Sequence, residues 1–201
     1  MDEYGMCDVP IYSNPIFEFK PGVTCLTGCN GAGKTTLMNQ IYDNLAAKGI
    51  SCKKFYVSEL RRTLEGRTIS GGFDAFADYM STVYSSEGES VSLVVSHTVG
   101  MLGDFVFNEC KDEAECWIFM DSLDSGLSVD VIRDFVTFLE NVVGENKPDD
   151  LDIYIINSVN SFEFARNFDC VDVQTGEHLR FTDYDDYCDY ILTTRKVKDR
   201  R

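Results

Sequence analysis

The chain has 201 residues, 44% of them hydrophobic and 12% aromatic, with a formal charge of −16. That is enough for one folded domain with a real core, and the acidic balance does not support a surface built to wrap nucleic acid; such a partner would need a local basic face. No apolar run approaches the roughly 18–20 residues that a membrane-crossing helix needs.

The N-terminal Met1-Asp2-Glu3-Tyr4 is acidic and lacks a signal-peptide layout, so the cytoplasm is the expected location. Eight cysteines, at positions 7, 25, 29, 52, 110, 116, 170 and 188, form no C-x-x-C pair. With only His97 and His178 beside them, a zinc site has little support, and they read as thiols in a reducing compartment.

In chain order, the alternation Ile16-Phe17-Glu18-Phe19 predicts a short strand, and Pro21-Gly22 a turn after it. Val23-Thr24-Cys25-Leu26-Thr27 predicts a second strand. Gly28-Cys29-Asn30-Gly31-Ala32-Gly33-Lys34-Thr35-Thr36 follows at once and reads G-x-x-x-x-G-K-T. Leu37, Ile41 and Leu45 then recur at helical spacing up to Lys48-Gly49.

Strand, glycine loop and helix together make a phosphate cradle. Gly28, Gly31 and Gly33 let the backbone curl, so that amide groups of the loop, Asn30 and Ala32 among them, converge on phosphate oxygens. The N-terminus of the new helix, at Lys34, Thr35 and Thr36, adds its positive dipole end. Lys34 supplies a point charge for the terminal phosphates, and Thr35 a hydroxyl for Mg²⁺.

Beyond the loop, residues 53–57 predict a strand. Phe73, Phe76, Ala77, Met80 and Val83 fit a helix preceded by Ser70-Gly71-Gly72, and Val91 to Phe105 fit another despite Gly100 and Gly103. Trp117-Ile118-Phe119-Met120 is a continuous apolar run, as in a strand buried on both faces, and it ends at Asp121. A carboxylate there is placed to complete a Mg²⁺ site with Thr35. Val129 to Val143 predict an amphipathic helix, residues 146–150 a loop, and Ile153-Tyr154-Ile155-Ile156 a further buried strand. Cys170 to Phe181 predict a hairpin turning at Thr175-Gly176, and Tyr184 to Leu192 a closing helix. The basic tail Arg195 to Arg201 reads as a solvated segment. Without a Pro-, Gly- or Ser-rich linker or a repeat, residues 1–201 read as one domain.

Asn30 to Thr36 resembles the phosphate loop of ABC-type ATPases. Asp121-Ser122-Leu123-Asp124-Ser125-Gly126-Leu127-Ser128 resembles their Walker B and D-loop stretch, most often D-E-P-[DE]-S-G-L. The likeness is to small soluble members from bacteria and their phages, similar to the ATPase heads of DNA-repair and chromosome-organising proteins. It implies a three-layer α/β P-loop fold with a mixed, largely parallel sheet, with ATP and Mg²⁺ as ligands. It also implies an ATP-dependent homodimer in which the signature motif of one subunit faces the loop of the other. The span from Val57 to Ser86 is too short for the long coiled-coil arms of the larger relatives.

Two stretches compete for the signature. Ser70-Gly71-Gly72 matches its letters better. Ser86-Glu87-Gly88-Glu89 starts the helix that leads towards Asp121, so Ser86 and Gly88 are preferred, because a helix N-terminus aimed at a phosphate is what the chemistry needs.

The sequence departs from the family in three places. Ser122 stands where a glutamate activates the attacking water, and a serine is no base at neutral pH. No glutamine occurs between the strand predicted at residues 53–57 and the signature stretch at Ser86, where the family places one. Asn160 stands near the place of a histidine that meets the terminal phosphate, and it donates a hydrogen bond without charge. Asp124 or a partner residue would then stand in for the base. The expected site is thus Lys34, Asp121, Asp124 and Asn160 around the loop. The expected activity is ATP binding with slow Mg²⁺-dependent hydrolysis. The alternatives are a nucleotide-gated binding or regulatory module with weak catalysis, and a P-loop phosphotransferase.

Overall fold

A computed structural model describes residues 16–56, 98–122, 124, 127–144, 147, 148 and 150–200. Its centre is a six-stranded sheet of β1 (Gly22–Thr27), β2 (Ser51–Tyr56), β3 (Glu115–Asp121), β4 (Asp152–Ser158), β5 (Asp169–Asp172) and β6 (His178–Leu179). The order is β2-β3-β4-β1-β5-β6. All neighbours run parallel except the last pair, where β6 is antiparallel to β5. The mixed, largely parallel sheet expected from the sequence is therefore present.

The apolar runs explain the layers. On β3, Cys116, Ile118 and Met120 enter one buried cluster, while Trp117 and Phe119 enter the other. Alternation sends successive side chains to opposite faces, so a strand covered on both faces must be apolar throughout. Helix α1 (Lys34–Ala47) covers one face through Leu37, Met38, Ile41 and Leu45. Helix α2 (Val129–Val143) covers the other through Ile132, Phe135, Val136, Leu139 and Val142. A single turn of helix, α3 (Phe162–Ala165), and the terminal helix α4 (Tyr184–Lys198) complete the described elements used below.

Three expectations need correction. Residues 16–19 join no strand; instead Phe17 and Phe19 pack on the α1 side, with Phe19 edge-on to Trp117 at 6.1 Å. A two-residue alternation marks which side chains are buried, but a ladder also needs a free strand edge beside it. The helix expected over 91–105 is α-helical at 98–104 and then widens into a π-helical turn, Phe105–Glu109, closed by the Cys110 amide on the Phe105 carbonyl at 2.9 Å. The closing helix does not stop at Leu192 but runs to Lys198, so most of the basic tail is helix. Val57, residues 59–84, Ser70-Gly71-Gly72, Ser86, Gly88 and His97 lie outside the described residues.

Strand order sets the site. β4 lies between β1 and β3, and the register pairs Ser158 with both Leu26 and Asp121. The carboxyl ends of β1, β4 and β3 therefore form one rim, which is where open α/β sheets hold ligands. Leu139 is fully buried in the α2 layer. Leu139→Ala is expected to cost about 3 kcal/mol, read as a lower denaturant midpoint with an unchanged slope.

Candidate functional site

The glycine loop begins where β1 ends. Gly28 has φ 141°, and a Cβ there would lie 3.1 Å from Val173 Cγ1 and 3.2 Å from Ala32 Cβ. A side chain would thus be strained in both backbone and packing. Gly33, at φ 103°, turns the chain into α1, and its carbonyl accepts the Leu37 amide at 2.9 Å. Lys34, the first residue of α1, folds back so that its ammonium donates to the Gly28 carbonyl at 2.7 Å. Burial pushes its pKa down, opposed by the nearby Cys29, Asp124 and Asp121. A lysine held inside the loop, with no carboxylate in ion-pair contact among the described residues, is a cation placed for an anionic ligand.

Across the rim stands Asp121, at the end of β3. Its Oδ2 accepts the Thr35 hydroxyl at 3.0 Å, and its Oδ1 accepts the Ser158 hydroxyl at 2.5 Å. Ser122 follows with φ 55°, a left-handed conformation that is uncommon outside glycine. Its amide donates to the Ser158 carbonyl at 3.2 Å and its hydroxyl to Asp121 Oδ1 at 3.4 Å. Between loop and rim runs a trough of about 330 Å³, lined by residues that include Gly31, Lys34, Thr35, Thr36, Ser122 and Asn160. Asp121 thus lies beside this trough, bonded to Thr35, Ser122 and Ser158, which line it.

Asp124 has a different setting. Its Oδ2 accepts the amides of Asn160 and Ser161, both at 2.6 Å. Burial raises its pKa, and those two amides and Lys34 pull it back. The carboxyl thereby fixes the turn after β4 and holds the Asn160 backbone at the edge of the trough. Asn30 lines the trough, and Ala32 is buried under the loop, with its amide on the Cys29 carbonyl at 3.1 Å.

The donor set tests the fit of a metal. No cluster of three or more His, Cys, Asp or Glu occurs among the described residues. One hydroxyl and one carboxylate at contact distance suit a hard cation that takes its remaining oxygens from phosphates and water, as Mg²⁺ does. Thr35 and Asp121 are the residues that would hold it.

Four contributors escaped the sequence reading. Ser158 buttresses Asp121. Tyr190, Thr194 and Lys198 come from α4: the Thr194 hydroxyl accepts the Cys29 amide at 3.2 Å, and Lys198 donates to the Asn30 carbonyl at 3.0 Å. Their only trace in the sequence is a four-residue spacing, which in a helix marks one face.

The raised pKa of Asp124 sets a pH dependence. A carboxyl whose folded pKa lies above its unfolded value stabilises the fold least once ionised. Wild-type stability relative to Asp124→Asn should therefore be highest at low pH. It should fall as pH rises from the ordinary value of 3.8 to the raised one, and level off above. Melting temperatures of both proteins across the acid range test this; a difference independent of pH would contradict it.

Among curated proteins, none matches the chain. A family described as an AAA domain has a model that matches residues 6–42, through β1, the glycine loop and the first part of α1. Over that stretch the chain is similar to AAA-type, P-loop ATPase-like proteins, and with the sheet and the trough this supports nucleotide binding.

Proposed function

We propose that the protein binds ATP with Mg²⁺ and hydrolyses it slowly, and that bound ATP drives it to dimerise. The observation that carries this reading is the contact of Thr35 Oγ1 with Asp121 Oδ2 at 3.0 Å across the mouth of the loop. It puts a metal-type hydroxyl and a metal-type carboxylate together beside a lysine and a helix N-terminus. That combination suits a polyphosphate far better than a monoanion.

The roles follow from position. The loop amides and the start of α1 would bind the phosphate chain, and Lys34 would leave the Gly28 carbonyl to meet the terminal phosphates. Thr35 and Asp121 would hold Mg²⁺, whose charge would offset that of the bound phosphates. Ser158 fixes one carboxylate oxygen of Asp121 and so aims the other at Thr35. Asn160, placed by Asp124, can donate to the terminal phosphate or to a water beside it. Ser86 and Gly88 of a second copy are the proposed closing contacts. An ABC-type, phage or bacterial origin is part of the same proposal and rests on the likeness of the loop and of Asp121 to Ser128.

One observation favours a second reading, a nucleotide-gated module that holds ATP rather than cleaving it. Ser122 lines the trough with its hydroxyl turned to Asp121, so the position next to the carboxylate carries no base. A phosphotransferase finds no comparable support in the site.

Lys34→Ala should reduce ATP turnover to background and remove binding measured by calorimetry. Wild type that binds no Mg²⁺-ATP would overturn the proposal. Solution mass should rise towards a dimer with Mg²⁺-ATP and stay monomeric without it. Ser122→Glu should raise turnover by about 100-fold if the missing base limits hydrolysis. Brisk wild-type turnover that the change leaves untouched would remove the holding role.

A further inference from the structure

Helix α4 approaches the phosphate loop along one polar stripe. Tyr190, Thr194 and Lys198 are spaced by four residues and so lie above one another on one helix face. Each meets the next stretch of the chain as it leaves the sheet. Tyr190 donates to Asp172 at 2.8 Å and lies 3.4 Å from the Thr27 hydroxyl, at the last residue of β1. Thr194, itself buried, accepts the Cys29 amide. Lys198 donates to the Asn30 carbonyl, and its ammonium lies 3.6 Å from where a Cβ on Gly31 would sit.

These bonds decide which way the loop peptides face. In a trans peptide the carbonyl and the following N–H point in opposite directions. Lys198 draws the Asn30 carbonyl towards α4, so the Gly31 N–H points away from it. Lys198 lines a cavity of about 640 Å³ on the α4 side, which meets the trough at Asn30 and Asn160, and does not line the trough itself. Its charge therefore acts on the outside of the loop, through the Asn30–Gly31 peptide.

We propose that Lys198, with Thr194 beside it, is a positioning residue that presets the phosphate loop for polyphosphate binding from the rear. The proposal rests on the nucleotide reading of the trough and adds a control on its affinity. A loop already held in its binding shape loses less entropy when the ligand arrives. A basic helix end docked behind the loop also offsets part of the repulsion between a −16 chain and an anionic ligand.

The test uses the full chain, a fluorescent ATP analogue with Mg²⁺, and steady-state ATPase assays. Lys198→Met keeps the aliphatic stem and removes the donor. It should weaken binding about tenfold, as loss of a charged hydrogen bond does, and raise KM while kcat at saturation stays within about twofold. Lys198→Arg should restore most of the affinity, because a guanidinium can also donate to the Asn30 carbonyl. Thr194→Val should weaken binding in the same direction by releasing the Cys29 amide.

Lys198→Met that binds as tightly as wild type, with wild type binding normally, would overturn the clamp and leave the nucleotide reading standing. A loss confined to kcat, or one that Arg does not rescue, would overturn it too. Wild type that binds no nucleotide would instead remove the reading of the trough itself. Lys198 sits in the exposed last turn of α4, with 37% of its side chain accessible, so its replacement does not threaten the core.

Discussion

The Asp121 carboxylate ties the site together. One oxygen is held by Ser158 from the neighbouring strand and the other by Thr35 from the first turn of α1. A carboxylate has room for several donors, and fixing one oxygen orients the other. The contacts join β3, β4 and the helix that follows β1, so they exist only if β4 has inserted between β1 and β3 in the observed register. The loop, the rim and the trough between them all depend on that insertion.

Several polar groups at the rim are held by short, directional bonds, while Asp124 Oδ1 and the Asn157 side chain are buried without a hydrogen-bond partner among the described residues. Asp124 caps the turn after β4, Lys34 closes on the loop carbonyls, and Tyr190 joins Asp172 beside Thr27. Each places a charge or dipole in a partly desolvated setting, where an unpaired group is costly and a paired one gives a defined shape. The sheet below supplies the rigid base: β3 and β4 are buried on both faces, and Trp117 stacks on Tyr154 across them at 4.1 Å. Burial lowers the Lys34 pKa and raises that of Asp124, so desolvation disfavours both charged forms. That is the usual cost of poising charges for a ligand.

Ser122 illustrates how backbone and chemistry meet. It adopts a left-handed conformation while its amide continues the β3–β4 ladder by one bond. A larger acid at this place would reach further into the trough; the serine instead leans on Asp121. The position next to the Asp121 carboxylate therefore carries a hydroxyl and no base.

Local sequence determined a good deal. The glycine loop between an apolar run and a helical repeat could be read directly, because positive φ, a helix start and a lysine at fixed spacing are all local properties. The buried strands around Trp117–Met120 and Ile153–Ile156, the helix from Val129 to Val143 and the β5–β6 hairpin were legible for the same reason, since hydrophobic period and turn chemistry need no distant partner. The pairing of Thr35 with Asp121 was an expectation that only strand order could realise. Strand order also created the roles of Ser158, Thr194 and Lys198, which carry no motif because their function lies in what they touch. The basic tail makes the point most clearly. As a string of charges it reads as solvated surface, but as the end of α4 it lies behind the phosphate loop, because the helix runs on past Leu192 and its four-residue stripe follows β1 into the loop.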